Sequence, residues 1–163
     1  MRTPLTAQQA YGYLGLFLGA FPPAAYFTRM GYGFGPGENV LTVGLFIFMN
    51  AVCALVGWKM GKVFGSYVQK AERASWNNRI LGVSLLALCW AIVTGFAGGA
   101  IFFIIGGVFG AVFATPVALA GFIMFAIVHR LLERGSLIEK AQALPLAFGI
   151  SLTIAAFILG VYK

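Results

Sequence analysis

Charged residues divide the chain into four long uncharged stretches, 3–28, 39–58, 80–129 and 141–162, separated by short polar segments. Each stretch is apolar on every face and supplies the roughly 20 residues that a helix needs to cross a bilayer. A strand barrel would instead show segments of about 10 residues that alternate between lipid-facing and lumen-facing positions, and no such alternation is present. Helices are therefore expected, because they satisfy their own backbone hydrogen bonds in lipid.

The stretch 80–129 is 50 residues long. As one helix it would extend about 75 Å against a hydrocarbon core of about 30 Å, so it must cross twice. Gly98-Gly99, Gly106-Gly107 and Ala114-Thr115-Pro116 are the candidate turning points, through glycine's backbone freedom or proline's missing donor. A broken helix or a re-entrant loop fits the same pattern. The predicted architecture is an all-α polytopic transmembrane bundle forming a single integral membrane domain over 1–163. Its five spans lie near 7–28, 39–65, 79–100, 107–131 and 141–162, and counts from four to six are compatible with the pattern.

Composition and charge sharpen this picture. With 61% hydrophobic and 9% charged residues, too little polar surface exists to cover a water-facing globule. The net charge of +7 is spread among the ends of the apolar stretches rather than gathered in a patch, which excludes nucleic acid as a partner. Lys59, Lys62, Lys70, Arg73 and Arg79 cluster between the second and third spans, and Arg130, Arg134 and Lys140 between the fourth and fifth. Short loops rich in Lys and Arg face the cytoplasm, so an even number of crossings separates these two, as two spans in 80–129 provide. The glycine-rich segment Arg29 to Glu38, with Gly31, Tyr32, Gly33, Phe34, Gly35, Pro36 and Gly37, is expected outside. This gives a cytoplasmic N-terminus and an external C-terminus in a bacterial-type inner membrane. A single Arg2 and no small-residue cleavage site after the first apolar run argue that the first span is retained. Trp58, Trp76, Tyr26 and Tyr32 sit where an aromatic belt would.

Small residues recur at every fourth position: Gly95 and Gly99, then Gly106, Gly110, Ala114 and Ala118, with Gly107 and Ala111 alongside. Gly57, Gly61 and Gly65 repeat the spacing in the second span, and Gly15 and Gly19 in the first. Lipid provides little hydrophobic drive between helices, so such glycine-zipper ridges are how backbones come close enough to gain packing energy. The spacing is equally suited to contacts within the chain, to a homo-oligomer, and to docking in a larger membrane complex. Pro22-Pro23 should kink the first helix, as a packed bend or as the lining of a cavity.

Candidate chemistry is sparse. The acidic residues Glu38, Glu72, Glu133 and Glu139 all lie in loops or at span ends, and no Asp occurs. Without a mid-span ionisable group, a proton-coupled pump or antiporter is disfavoured. Asn50, Ser84, Thr94, Thr115, Ser151 and Thr153 are expected to make interhelical hydrogen bonds, Asn50 foremost because a deep amide needs several partners. Cys53 and Cys89 read as small packing residues, and His129 as an interfacial histidine without a second ligand, so no metal or cofactor is expected. No nucleophile, acid and base come together, and the chain is not expected to be an enzyme. Lys59, Lys62, Lys70, Arg73 and Arg79 could also attract anionic lipid headgroups.

Two functions fit these residues. One is a non-catalytic structural or accessory membrane subunit acting through close helix packing. The alternative is a small oligomeric channel or facilitator for ions or neutral solutes, with Asn50 and the 95 to 121 region lining the path.

Overall fold

The computed structural model describes residues 4–31, 39–70, 75–100, 103–132 and 137–160. Five helices account for nearly all of them: α1 (Ala7–Arg29), α2 (Val40–Lys70), α3 (Trp76–Gly99), α4 (Phe103–Leu132) and α5 (Lys140–Leu159). Two short strands, β1 (Pro4–Thr6) and β2 (Leu137–Glu139), pair antiparallel with Leu5 opposite Ile138. That pair joins the start of α1 to the start of α5, so these two helices run side by side in the same direction. It also defines a strand end of the bundle and an opposite end. The expected segments at Tyr32, Gly33, Phe34, Gly35, Pro36, Gly37 and Glu38, and at Glu72, Arg73, Glu133 and Arg134, lie outside the described residues.

Helices α2 to α5 are each long and apolar enough to cross a membrane, with mean hydropathy between 1.9 and 2.3. The chain is thus a membrane-embedded helical protein. Helix α1 is not in that set: Gln8, Gln9, two tyrosines near its start and Pro22-Pro23 dilute its apolar character. The physical reason is its position. It packs against α2, α4 and α5 and buries Tyr11, Leu14 and Leu18 almost completely, so its surroundings are mostly protein, whereas the outer helices expose Leu, Ile and Phe such as Leu55, Leu81, Ile104 and Phe157.

The α1 start is fixed locally. Thr6 accepts a hydrogen bond from the Gln9 backbone N–H at 3.3 Å while the Gln9 side chain accepts from the Thr6 N–H at 3.1 Å, a reciprocal capping box that satisfies two helix-end donors. Thr6→Ala is expected to destabilise the protein by about 1 kcal/mol, read as a lower thermal midpoint in detergent. At the opposite end, the Arg29 guanidinium donates to the Ile158 carbonyl, putting a cation at the negative C-terminus of α5, and Gly160 ends that helix in a left-handed conformation (φ 76°).

The turn in the long apolar stretch falls just after Gly98-Gly99, the first of the three expected points. Gly106-Gly107 and Thr115-Pro116 are inside α4, which continues through Pro116. The reason is the glycine contact across the hairpin: Gly99 meets Gly106 and Gly95 meets Gly110 so closely that an added Cβ on either helix would lie within 3.0 Å of the facing backbone. Phe103 opens α4 at φ 64°, a conformation that bulky residues seldom adopt.

Candidate functional site

The bundle is two antiparallel hairpins, α1–α2 and α3–α4, with α5 laid along α1. In the first hairpin the contact repeats at four-residue steps: Gly19 lies on Cys53, Gly15 on Gly57, Gly61 on Tyr11 and Gly12, and Gly65 on Ala7 and Gln8. An added Cβ at Gly15, Gly19, Gly57, Gly61 or Gly65 would fall inside 3.0 Å of facing backbone. The ridges that the spacing predicts are therefore engaged within the chain.

Between the hairpins the two halves of the bundle differ. Towards the strand end, aromatic side chains from all four helices interlock. Tyr11 stacks on Phe64 at 5.1 Å, Phe64 on Phe122 at 4.3 Å, and Trp90 meets Phe122 edge-on at 5.4 Å. Trp90 also donates its indole N–H to the Gly57 carbonyl at 3.0 Å, tying α3 to α2. Such rings bury large apolar area in specific offset and edge-on geometries.

Towards the opposite end the hairpins separate around a cavity of about 490 Å³. Trp90, Leu18 and Val117 form its floor. Its walls come from the halves of α1, α2, α3 and α4 distant from the strand pair, and include Pro22 and Pro23, Cys53, Thr94, Gly95 and Ala114. Ten residues of α3, Trp90 to Gly99, run along it, which makes its depth about 14 Å at 1.5 Å per residue. Water is a poor filler, because an apolar cavity offers it too few partners.

No charged residue and no histidine lines the cavity among the described residues. Its polar groups are Thr42, Tyr26, Cys53 and Thr94. Thr94 is 2% exposed and its hydroxyl has no hydrogen-bond partner, while its backbone carbonyl accepts the Cys53 thiol at 3.9 Å. On the α4 side, Phe109 (59% exposed) and Phe113 (40% exposed) line the cavity.

The residues singled out in the sequence fall into distinct places. Gly95, Gly99, Gly106, Gly110 and Ala114 all border the cavity, with the four glycines also forming the α3–α4 contact. Ala118 is fully buried in the core. Asn50 does not line the cavity, and its side-chain oxygen is buried without a hydrogen-bond partner, contrary to the expected interhelical bonding. Thr115, Ser151 and Thr153 also depart from expectation: each donates to the carbonyl four residues back in its own helix, at 2.8–2.9 Å. A short hydroxyl side chain reaches that carbonyl more easily than a neighbouring helix.

Of the basic residues, Lys59 and Lys70 are exposed, and Lys62 sits 3.6 Å over the Trp58 ring. Arg79 differs: only 5% exposed, it is withdrawn from any headgroup surface, because it lies on the inward face of α3 with Val83, Ala87 and Trp90. His129, expected at the interface, is likewise buried, 5.4 Å from the Tyr11 ring. Arg73 lies outside the described residues. Trp90 is the feature that sequence reasoning missed. A tryptophan inside an apolar run, away from either interface, was the available signal.

No protein-family model, curated protein or solved structure matches this chain.

Proposed function

We propose that the chain is a non-catalytic structural or accessory subunit that crosses a bacterial-type inner membrane five times, with its strand end in the cytoplasm. The observation that carries this reading is that the glycine ridges interlock within each hairpin, while stacked aromatic rings close the space between hairpins below the cavity. Close packing of this kind builds a rigid body, and it leaves aliphatic and aromatic outer faces for lipid or a partner's helices. Lys59, Lys62 and Lys70, with Trp58 and Tyr67 beside them, suit anionic headgroups at the strand end. The β1–β2 pair supports the five-span reading, since it holds the N-terminus and the α4–α5 connection on one side, as four intervening crossings require.

The channel alternative draws on the same cavity, whose border includes Gly95, Gly99, Gly106 and Gly110. It needs a continuous polar route, and the described residues offer apolar lining above a floor of Trp90, Leu18 and Val117. Reconstituted liposomes are expected to pass small ions and neutral solutes no faster than empty ones, and mass measurement in nanodiscs to return a monomer or a non-conducting oligomer. A discrete oligomer with flux abolished by Ala114→Phe, which fills the cavity, would replace the accessory reading with the channel.

A further inference from the structure

The close packing between the hairpins stops at the cavity floor, and α4 changes character there. From Val117 to His129 seven of its residues are buried, whereas from Phe103 to Thr115 only Gly107 is. Phe103, Ile104, Ile105, Val108, Phe109 and Val112 are 54–85% exposed. Pro116 stands at that boundary, and because it has no N–H, the Val112 carbonyl loses its partner within the helix. Helix α1 carries the same device at the same level. Its Pro22 and Pro23 release the carbonyls of Leu18 and Gly19, and Leu18 shares the floor with Val117. Sharp helix bends occur at such points. Thr115 reinforces the one in α4, since its hydroxyl donates back to the Ala111 carbonyl at 2.9 Å, a bond that favours bending.

We propose that the cavity is gated between α1 and α4, with the contact of Tyr26 and Phe113 as the latch and the prolines as the hinges. The two rings meet across the hairpins at 5.2 Å, their planes 48° apart, and both line the cavity. Tyr26 follows Pro22 and Pro23 along α1, Phe113 precedes Pro116 along α4, and the two helices run in opposite directions. Each latch residue therefore stands about one turn beyond its own hinge, on the side away from the strand pair. The remaining ring contacts between α1 and α4 among the described residues, those of Tyr11 with Phe122, Phe125 and His129, all lie below the floor. In lipid, helices are held by packing rather than by a hydrophobic drive, so parting one pair of rings forfeits only their contact. Below the floor, the stacked rings, the Trp90 hydrogen bond and the β1–β2 pair keep the hairpins together. Opening swings the outer ends of α1 and α4 apart, and the contacts of Gly95 with Gly110 and of Gly99 with Gly106 carry the outer part of α3 along with α4.

The test measures distances between paired spin labels on full-length protein in nanodiscs, diluted with unlabelled protein so that only pairs within one chain are read. Cys53→Ala and Cys89→Ala remove the native thiols. Thr28→Cys with Ile105→Cys places labels at the outer ends of α1 and α4, and Gln8→Cys with Leu131→Cys at their strand ends, all four positions being exposed. The outer pair is expected to give two distances and the strand-end pair one. Phe113→Ala should raise the ratio of the longer to the shorter distance about fivefold, the factor that an aromatic pair typically contributes. Pro116→Ala, which restores the helix N–H, should leave the shorter distance alone. An outer distribution as narrow as that of the strand-end pair overturns the proposal. So does a broad outer distribution that neither Phe113→Ala nor Pro116→Ala changes, since the spread is then fraying of the helix ends. Flux and oligomeric mass do not enter, so this proposal and the accessory reading stand or fall separately.

Discussion

Gly57→Val and Gly95→Val should each lower stability by about 3 kcal/mol or more, enough to leave little folded protein after detergent extraction. Overpacking a core usually costs about 1–3 kcal/mol, because flexible side chains move aside. Here the obstacle is backbone on the facing helix: the Gly15 carbonyl for Gly57, and the Gly110 carbonyl with the Ala111 Cα for Gly95. Neither can yield without moving a whole helix, and the neighbouring small-residue contacts resist that movement. Gly44 and Gly82 provide the controls. Nothing lies within 4 Å of a Cβ at either position, so Gly44→Ala and Gly82→Ala should be neutral or stabilising by up to about 1 kcal/mol through helix propensity. Thermal and SDS-induced unfolding would measure all four. Equal effects at the two sets of positions would refute the ridge contacts as the source of rigidity.

Trp90→Ala is expected to cost about 3–5 kcal/mol, the range for removing a large buried aromatic side chain. Three contributions combine there: the lost ring contact with Phe122, the lost hydrogen bond to the Gly57 carbonyl, and enlargement of the existing cavity through its floor. Trp90→Phe keeps an aromatic ring against Phe122 and sacrifices mainly the indole N–H, a hydrogen bond worth about 1 kcal/mol, so it should cost about 1–2 kcal/mol. Unfolding midpoints for both variants in the same detergent check the order. If the two substitutions prove equally mild, Trp90 is not what holds the hairpins together at the cavity floor.

The order of these effects follows from what surrounds each residue, and a linear pattern carries only part of that information. Run lengths and the absence of mid-span charge suffice to identify apolar membrane helices, because lipid imposes that requirement on each helix separately. The four-residue spacing of Gly15 and Gly19 and of Gly57, Gly61 and Gly65 is legible for the same reason: a small-residue ridge is a property of one helix face. It cannot say which ridge meets which, and at Ser151, Thr153 and Thr115 the hydroxyls turn to their own helix, since the nearest carbonyl is local. Arg79 and His129 sit near span ends, where sequence position alone suggests exposure, yet both are buried, His129 against the Tyr11 and Phe125 rings.

The sequence by itself determined an all-helical membrane chain, its approximate helix limits and the faces able to pack closely, because hydrophobicity and side-chain size act along a single helix. Tertiary structure alone decided that the ridges close two hairpins within one chain, that α1 is the enclosed helix, and that Trp90 floors a cavity where Thr94 keeps an unmatched hydroxyl. Those outcomes depend on distances between helices, which are set when all the faces are packed at once.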